Sequence, residues 1–157
     1  MDLKLEAIVL PVSDVDRAKN FYEAAGFRLD VDTTFSDEYR LVHMTPPGSQ
    51  CSIIFGKGTI STAPGTVQGL YLIVADVEKA REELVGRGVG MSEVFHDAGG
   101  VLHHGHEGGE AVHRGAGQER IEGPEPGRTS YASYATFSDP DGNGWLLQEI
   151  TERLPGR

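Results

Sequence analysis

The densest group of side chains able to bind a metal lies in the segment from residue 101 to residue 113. The group consists of His103, His104, His106, Glu107, Glu110 and His113. Imidazole and carboxylate groups together can hold Zn, Ni or Cu. If residues 101–106 form a strand, His104 and His106 share one face, because side chains alternate along a strand. The alternative is a solvated histidine cluster in a glycine-rich loop, and both interpretations stay open.

The other residues with catalytic potential have simpler interpretations. Asp139 and Asp141 are paired carboxylates, but the phrase D-P-D-G-N is typical of a tight turn, so we interpret both as turn and cap residues. We interpret His43 and His96 as ordinary histidines near strand ends. The chain has a single cysteine, Cys51, which excludes an intrachain disulfide and a cysteine-based zinc site.

The composition narrows the class of protein. The chain has 157 residues, with 14 Lys and Arg against 24 Asp and Glu, which gives a formal net charge of −10. A chain of this length can form one domain with a substantial core. We expect no nucleic-acid partner, because phosphate groups bind clustered Lys and Arg. No apolar run predicts a membrane span or a signal peptide, so we expect a cytoplasmic protein without a membrane partner.

An internal repeat predicts the elements that position these side chains. Shifted by 62 residues, residues 7–27 align with residues 69–89. Each segment has a strand rich in Val, Ile and Leu, at 3–12 and at 68–75, followed by a helix. We expect the helices near 14–25 and 76–87. Asp14 and Asp76 are their predicted N-caps, and Gly26 and Gly88 are the predicted left-handed residues that end them.

Shorter strands are predicted after each helix. They lie at 39–45 and 51–56 in the first half and at 90–95, 131–138 and 144–150 in the second. The chain is therefore predicted to be a single α+β domain, residues 1–157, built of two modules at about 1–62 and about 63–157. The Gly- and His-rich segment 97–128 breaks the pattern, and we predict a loop that covers a ligand cavity.

Two phrases carry a resemblance to a known family. L-P-V-S-D-V-D-R-A-K-N-F-Y-E-A-A-G-F at 10–27 and F-S-D-P-D-G-N-G-W-L-L-Q-E-I at 137–150 resemble the vicinal oxygen chelate superfamily. This superfamily includes glyoxalase I, bleomycin-resistance proteins and extradiol dioxygenases. The resemblance implies two βαβββ modules whose curved mixed sheets surround a cavity, the glyoxalase/bleomycin-resistance fold. It also implies a homodimer.

The same resemblance locates the usual metal site. Metalloenzymes of the superfamily hold a divalent ion with His, Gln or Glu from the first and last strands of each module. The corresponding positions here are Ala7, Gly69 and Leu146, and the strand around 52–54 contains no acid or histidine. Alanine, glycine and leucine cannot ligate a metal through their side chains. We therefore predict no cofactor at the usual positions; the alternative is a divalent metal such as Zn, Ni or Fe held elsewhere.

The predicted ligand contacts follow from strand alternation and from the loop histidines. They are Val9, Tyr71, Ile73, His103, His104, His106, Leu146 and Gln148. No catalytic residue is predicted. We expect the protein to bind a small organic molecule, as metal-free bleomycin-resistance members of the superfamily do. The alternative is a lyase, isomerase or dioxygenase of the same superfamily that uses a displaced metal or a loop histidine.

Overall fold

The structure is a computed structural model that describes residues 1–98 and 120–155. The predicted contacts His103, His104 and His106 lie outside the described residues. The chain divides into two compact units, the first formed by Met1–Val67 with Asp139–Asn143 and the second by Gln68–Ser138 with Gly144–Arg157. In the part of the chain that is described, no helix combines the length and apolar character needed to cross a membrane.

The first unit contains one helix and a four-stranded sheet. Its elements are β1 (Ala7–Val9), α1 (Val15–Ala24), β2 (Arg28–Ser36), β3 (Tyr39–Thr45) and β4 (Ser52–Lys57). The strand order is β1-β4-β3-β2, with β1 parallel to β4 and the other pairs antiparallel. The buried ring of Tyr22 in α1 lies 5.1 Å from that of Phe27 and 5.7 Å from that of Phe55, centroid to centroid. These contacts place the helix on the Phe55 face of the sheet.

The second unit contains one helix and a five-stranded sheet. Its elements are β5 (Leu70–Val74), α2 (Val77–Gly86), β6 (Phe95–Asp97), β7 (Arg120–Glu122), β8 (Ser133–Ser138) and β9 (Gly144–Glu149). The strand order is β5-β9-β8-β6-β7, and only β5 and β9 run parallel. Both mixed sheets confirm the predicted fold class.

The predicted helix ends are confirmed. The Asp14 carboxylate accepts a hydrogen bond from the Arg17 amide at 2.9 Å, and Asp76 accepts one from the Lys79 amide at 3.0 Å. These bonds satisfy amides that the first helical turn leaves without a partner. Gly26 and Gly88, one after each helix, have φ of 95° and 88°, a conformation that side chains disfavour.

Several strand boundaries differ from the prediction. β1 spans only Ala7–Val9, and the preceding Leu3 and Leu5 are exposed. β2 was not predicted, because Arg28–Ser36 is an edge strand with mostly exposed residues and no clear apolar alternation. β7 lies inside the predicted loop 97–128, where it pairs with β6. A three-residue strand is too short for a periodic pattern to identify it.

The turn at Asp139–Asn143 belongs to the first unit. One carboxylate oxygen of Asp139 accepts hydrogen bonds from the backbone amides of Asp141, Gly142 and Asn143 at 2.9–3.0 Å. Its other oxygen accepts the hydroxyl of Tyr22 at 2.9 Å. Asp141 in turn accepts bonds from the Ser13 amide and hydroxyl. The predicted turn role of the Asp139 carboxylate is confirmed, whereas the Asp141 carboxylate binds Ser13, which is distant in sequence.

An ion pair between half-buried Arg128 and buried Glu149 holds the end of β9 to the start of α2. The Glu149 carboxylate is 1% exposed and accepts two bonds from Arg128, at 2.9 Å from Nε and 2.6 Å from Nη2. It also accepts the Val77 amide at 3.0 Å. Arg128 reaches Glu78 as well, and its backbone has φ of 51°, which is unusual for a residue other than glycine.

Candidate functional site

Each sheet has one face that its own helix does not cover, and we call these the first and second open faces. In the first unit, Ile53, Phe55 and Met44 point toward α1 and are nearly fully buried. Their neighbours along the strands therefore point to the opposite side. The strand register sorts the side chains of the first open face into two rows.

The first row is largely apolar. Val9 pairs with Ile54, Ile54 with His43, and His43 with Val31, so the row crosses all four strands. Val9, Ile54 and His43 are partly exposed, and Val31 is exposed. Nε2 of His43 is buried and has no hydrogen-bond partner among the described residues. His43 thus lies near the end of β3, as predicted, and its side chain belongs to this face.

The second row is polar. It begins at Ala7, which pairs with Ser52, and continues to Thr45 and Arg28. The hydroxyl oxygens of Ser52 and Thr45 are 2.7 Å apart, and the Thr45 hydroxyl also donates to Asp30. Arg28 Nε donates to the same Asp30 carboxylate at 2.6 Å. These hydrogen bonds, first from Arg28 and then from Thr45, hold the pKa of the Asp30 carboxyl below its usual value.

The second open face contains four of the predicted ligand contacts. Tyr71 pairs with Leu146 and Ile73 pairs with Gln148 across β5 and β9, so all four side chains share one face. Tyr71 is 39% exposed and Ile73 is 47% exposed, whereas Leu146 and Gln148 are buried beside them. Burial, and next the charge of Asp97, raise the pKa of the Tyr71 hydroxyl.

Buried aromatic residues form the floor of the second open face. Phe95, Tyr134 and Leu146 make one buried cluster, and the rings of Phe95 and Tyr134 lie 5.7 Å apart. Burial raises the pKa of Tyr134 to about 12. The backbone carbonyl of Tyr131 accepts the Tyr134 hydroxyl and, at 3.2 Å, the Gln148 amide nitrogen. Sequence reasoning missed Phe95 and Tyr134, because only the strand register shows that they lie beside Gln148.

A cation–π contact borders this floor. The guanidinium carbon of Arg120 in β7 lies 4.1 Å from the centre of the Phe95 ring. Arg120 pairs with Asp97 across β6 and β7, so a charge of each sign stands at this end of the sheet. His96 points to the other face, where its Nδ1 lies 2.8 Å from the Gly123 carbonyl oxygen. That contact agrees with the predicted structural role of His96.

The positions that correspond to the family's metal ligands do not fit a metal. Ala7 lies at the start of β1, and Gly69, with φ of 76°, immediately precedes β5. Ile54 pairs with Val9 as Leu146 pairs with Tyr71, which identifies Ile54 as the first-unit counterpart of Leu146. None of these four residues has a side-chain donor atom. Across residues 1–98 and 120–155, no group of three or more His, Cys, Asp or Glu is arranged to hold a metal ion.

The second unit also has a cleft of about 220 Å³ that contains none of the predicted site residues. Its lining includes Glu78, Glu82, Glu93, Glu122 and Arg81. Arg81 is already bound, because its guanidinium donates to the Ser92 carbonyl and to Glu93, each at 2.6 Å. We therefore place the candidate site on the open faces and not in this cleft.

Comparisons with known proteins agree with this architecture. A model of the Glyoxalase/Bleomycin resistance protein/Dioxygenase superfamily matches residues 4–102. Among solved structures, the chain is similar to TnmS3, an antibiotic binding protein from Streptomyces sp. CB03234, at 26% identity and a TM-score of 0.65. The match covers 96% of this chain and 98% of TnmS3. A glyoxalase/bleomycin resistance protein from the same organism is also similar, at 26% identity, with a TM-score of 0.62 and coverage of 93% and 100%.

A third similar structure, a superfamily member from Sphaerobacter thermophilus DSM 20745, has 24% identity and supports the fold alone. Its TM-score is 0.63, with 94% of this chain and 98% of that chain covered. No curated protein matches the sequence. The family match spans more than half of the 157 residues. The chain therefore belongs to the Glyoxalase/Bleomycin resistance protein/Dioxygenase superfamily.

Proposed function

We propose that this protein binds a small organic molecule on its open faces without using a metal at the family positions. One observation carries the proposal. The residues at those positions have hydrocarbon side chains or, at Gly69, no side chain, and they lie on or beside strand faces with exposed apolar side chains. Ile54 and Leu146 are the clearest cases, because each pairs with a partly exposed apolar neighbour, Val9 and Tyr71 respectively. Such a surface gains free energy when a ligand covers it.

The size of the expected effect follows from the exposed fractions. Full burial of a large apolar side chain stabilises by about 1.5–3 kcal/mol. Tyr71 and Ile73 are 39% and 47% exposed, so covering either side chain contributes about 1 kcal/mol. The similarity to TnmS3 supports an antibiotic-like ligand. The net charge of −10 favours the approach of a cationic molecule over an anionic one.

The experiment is calorimetric titration with bleomycin and with a panel of polycyclic aromatic natural products. We expect Tyr71→Ala and Ile73→Ala each to weaken binding about fivefold. Ile121→Ala is the matched control, because Ile121 is an apolar residue of the same unit, is 44% exposed and lies on the opposite face of the sheet. Equal weakening by all three variants would refute the placement of the site on the second open face.

Two further measurements separate binding from catalysis. Elemental analysis of the purified protein should find no stoichiometric divalent metal. Mass spectrometry of the bound probe should recover it unchanged. A stoichiometric metal together with a converted probe would instead identify a lyase, isomerase or dioxygenase.

A further inference from the structure

The hydrogen bonds of the first open face have a defined direction. Arg28 keeps the Asp30 carboxylate ionised, and an ionised carboxylate only accepts hydrogen bonds. The single hydroxyl proton of Thr45 is therefore directed to Asp30. Since Thr45 has no second proton, the 2.7 Å contact with Ser52 requires Ser52 to donate. With its proton donated to Thr45, the Ser52 hydroxyl can only accept a hydrogen bond from any further partner.

The second open face also presents hydrogen-bond acceptors, but through different residues. The Tyr131 carbonyl is an acceptor, so the Gln148 atom 3.2 Å from it is the amide nitrogen. The amide oxygen of Gln148 then points away from that carbonyl, as an acceptor. The Tyr134 hydroxyl proton is also committed to Tyr131. Tyr131 is itself held in place at φ of 74°, with its amide donating to the Glu149 carbonyl at 2.8 Å.

We propose that these acceptors make each open face selective for ligands that carry an N–H or O–H donor, such as amines, amides and alcohols. The inference rests on the proposed function and adds the chemical class of the ligand. Both residues are buried, with Ser52 6% and Gln148 5% exposed, and an acceptor that is covered there by another acceptor loses its hydrogen bond to water and gains none. Selection therefore comes from rejecting acceptor-only ligands as much as from binding donors.

The test uses matched pairs of fluorescent probes that differ in one substituent. The pairs are 7-amino- against 7-methoxy-4-methylcoumarin and 6-amino- against 6-methoxyquinoline. Within each pair, we expect the amine to bind about three- to tenfold more tightly, the range given by one net hydrogen bond. Equal binding of both members refutes the donor selectivity and leaves the proposed function standing. Binding of neither member, up to the solubility limit, refutes both.

Substitutions identify which acceptor is responsible. Thr45→Val removes the group that takes the Ser52 proton, so Ser52 becomes able to donate. We expect the methoxy probes to bind more tightly to this variant and the preference for amines to fall. Thr33→Val is the control, because Thr33 is a threonine of the same sheet outside the polar row. An unchanged preference in Thr45→Val refutes the role of Ser52.

Gln148→Leu tests the second acceptor independently. We expect it to weaken the binding of the amines about threefold and to strengthen that of the methoxy probes, because the acceptor that disfavours them is gone. A purely structural effect would weaken both members of each pair equally, and that result would refute the role of Gln148. The comparison of the probe pairs on the unsubstituted protein stays decisive even where a variant folds poorly.

Discussion

Replacing Arg128 with methionine should lower the free energy of unfolding by more than the loss of a single exposed ion pair would. In this variant, the Glu149 carboxylate is still 1% exposed but has lost both hydrogen bonds from Arg128. Of the donors described above, the Val77 amide remains. Breaking a buried pair by removing one partner typically costs about 3–5 kcal/mol. The contacts of Arg128 with Glu78 and Asp76 are more exposed and add less than about 1 kcal/mol. For a protein of this size, the sum lowers the melting temperature by about 10 °C.

The assay is urea denaturation followed by circular dichroism, with two comparison variants. Arg87→Met removes a guanidinium whose partner, Glu83, is well exposed, so we expect a loss below about 1 kcal/mol. Glu149→Leu leaves an unpaired Arg128, which is 37% exposed and can be hydrated. The Glu149→Leu variant should therefore lose less unfolding free energy than Arg128→Met. A loss below about 1 kcal/mol for Arg128→Met would refute the reasoning, because the carboxylate would then have another means of stabilisation.

Three further predictions concern titration and assembly. Arg40, and next Lys19, lower the pKa of Asp32 from 3.8, so the stability that this network contributes is present above pH 4 and is lost as the pH falls below it. The difference in unfolding free energy between Asp32→Asn and the unsubstituted protein should therefore shrink steadily as the pH falls below 4, and a constant difference would contradict this. Ultraviolet titration should show one tyrosinate forming near pH 12, absent in Tyr134→Phe; since its folded pKa is raised, stability should fall as the pH rises above 10. Light scattering should give a homodimer of twice 17.0 kDa, and a 17.0 kDa species at micromolar concentration would exclude it.

The helices could be predicted because their signals are local. Asp14 and Asp76 each accept the amide three residues ahead, and Gly26 and Gly88 follow each helix with positive φ. These contacts depend only on neighbouring residues, so the sequence pattern is sufficient. The predicted strand faces depend on alternation, which is also local, and the pairs of β5 with β9 agree with it.

The polar groups of the open faces could not be predicted, because they depend on strand register. Ser52 meets Thr45 across a turn, and Tyr134 meets Gln148 across β8 and β9. A period of two assigns each residue to a face but does not say which residue of the next strand lies beside it. β2 was missed for a related reason: its charged Asp32 is neutralised by Arg40 on the adjacent strand, a pairing that no local pattern displays.

The membership of the turn Asp139–Asn143 in the first unit has a consequence for the order of folding. Tyr22 is separated from Asp139 by 117 positions, and Ser13 from Asp141 by 128. During synthesis, the ribosome produces the rest of the first unit long before these partners exist. The buried Tyr22 hydroxyl has no acceptor until Asp139 has been synthesised. The first unit should therefore reach its final state only after residues 139–143 have left the ribosome, and contacts of such high sequence separation should make that step slow.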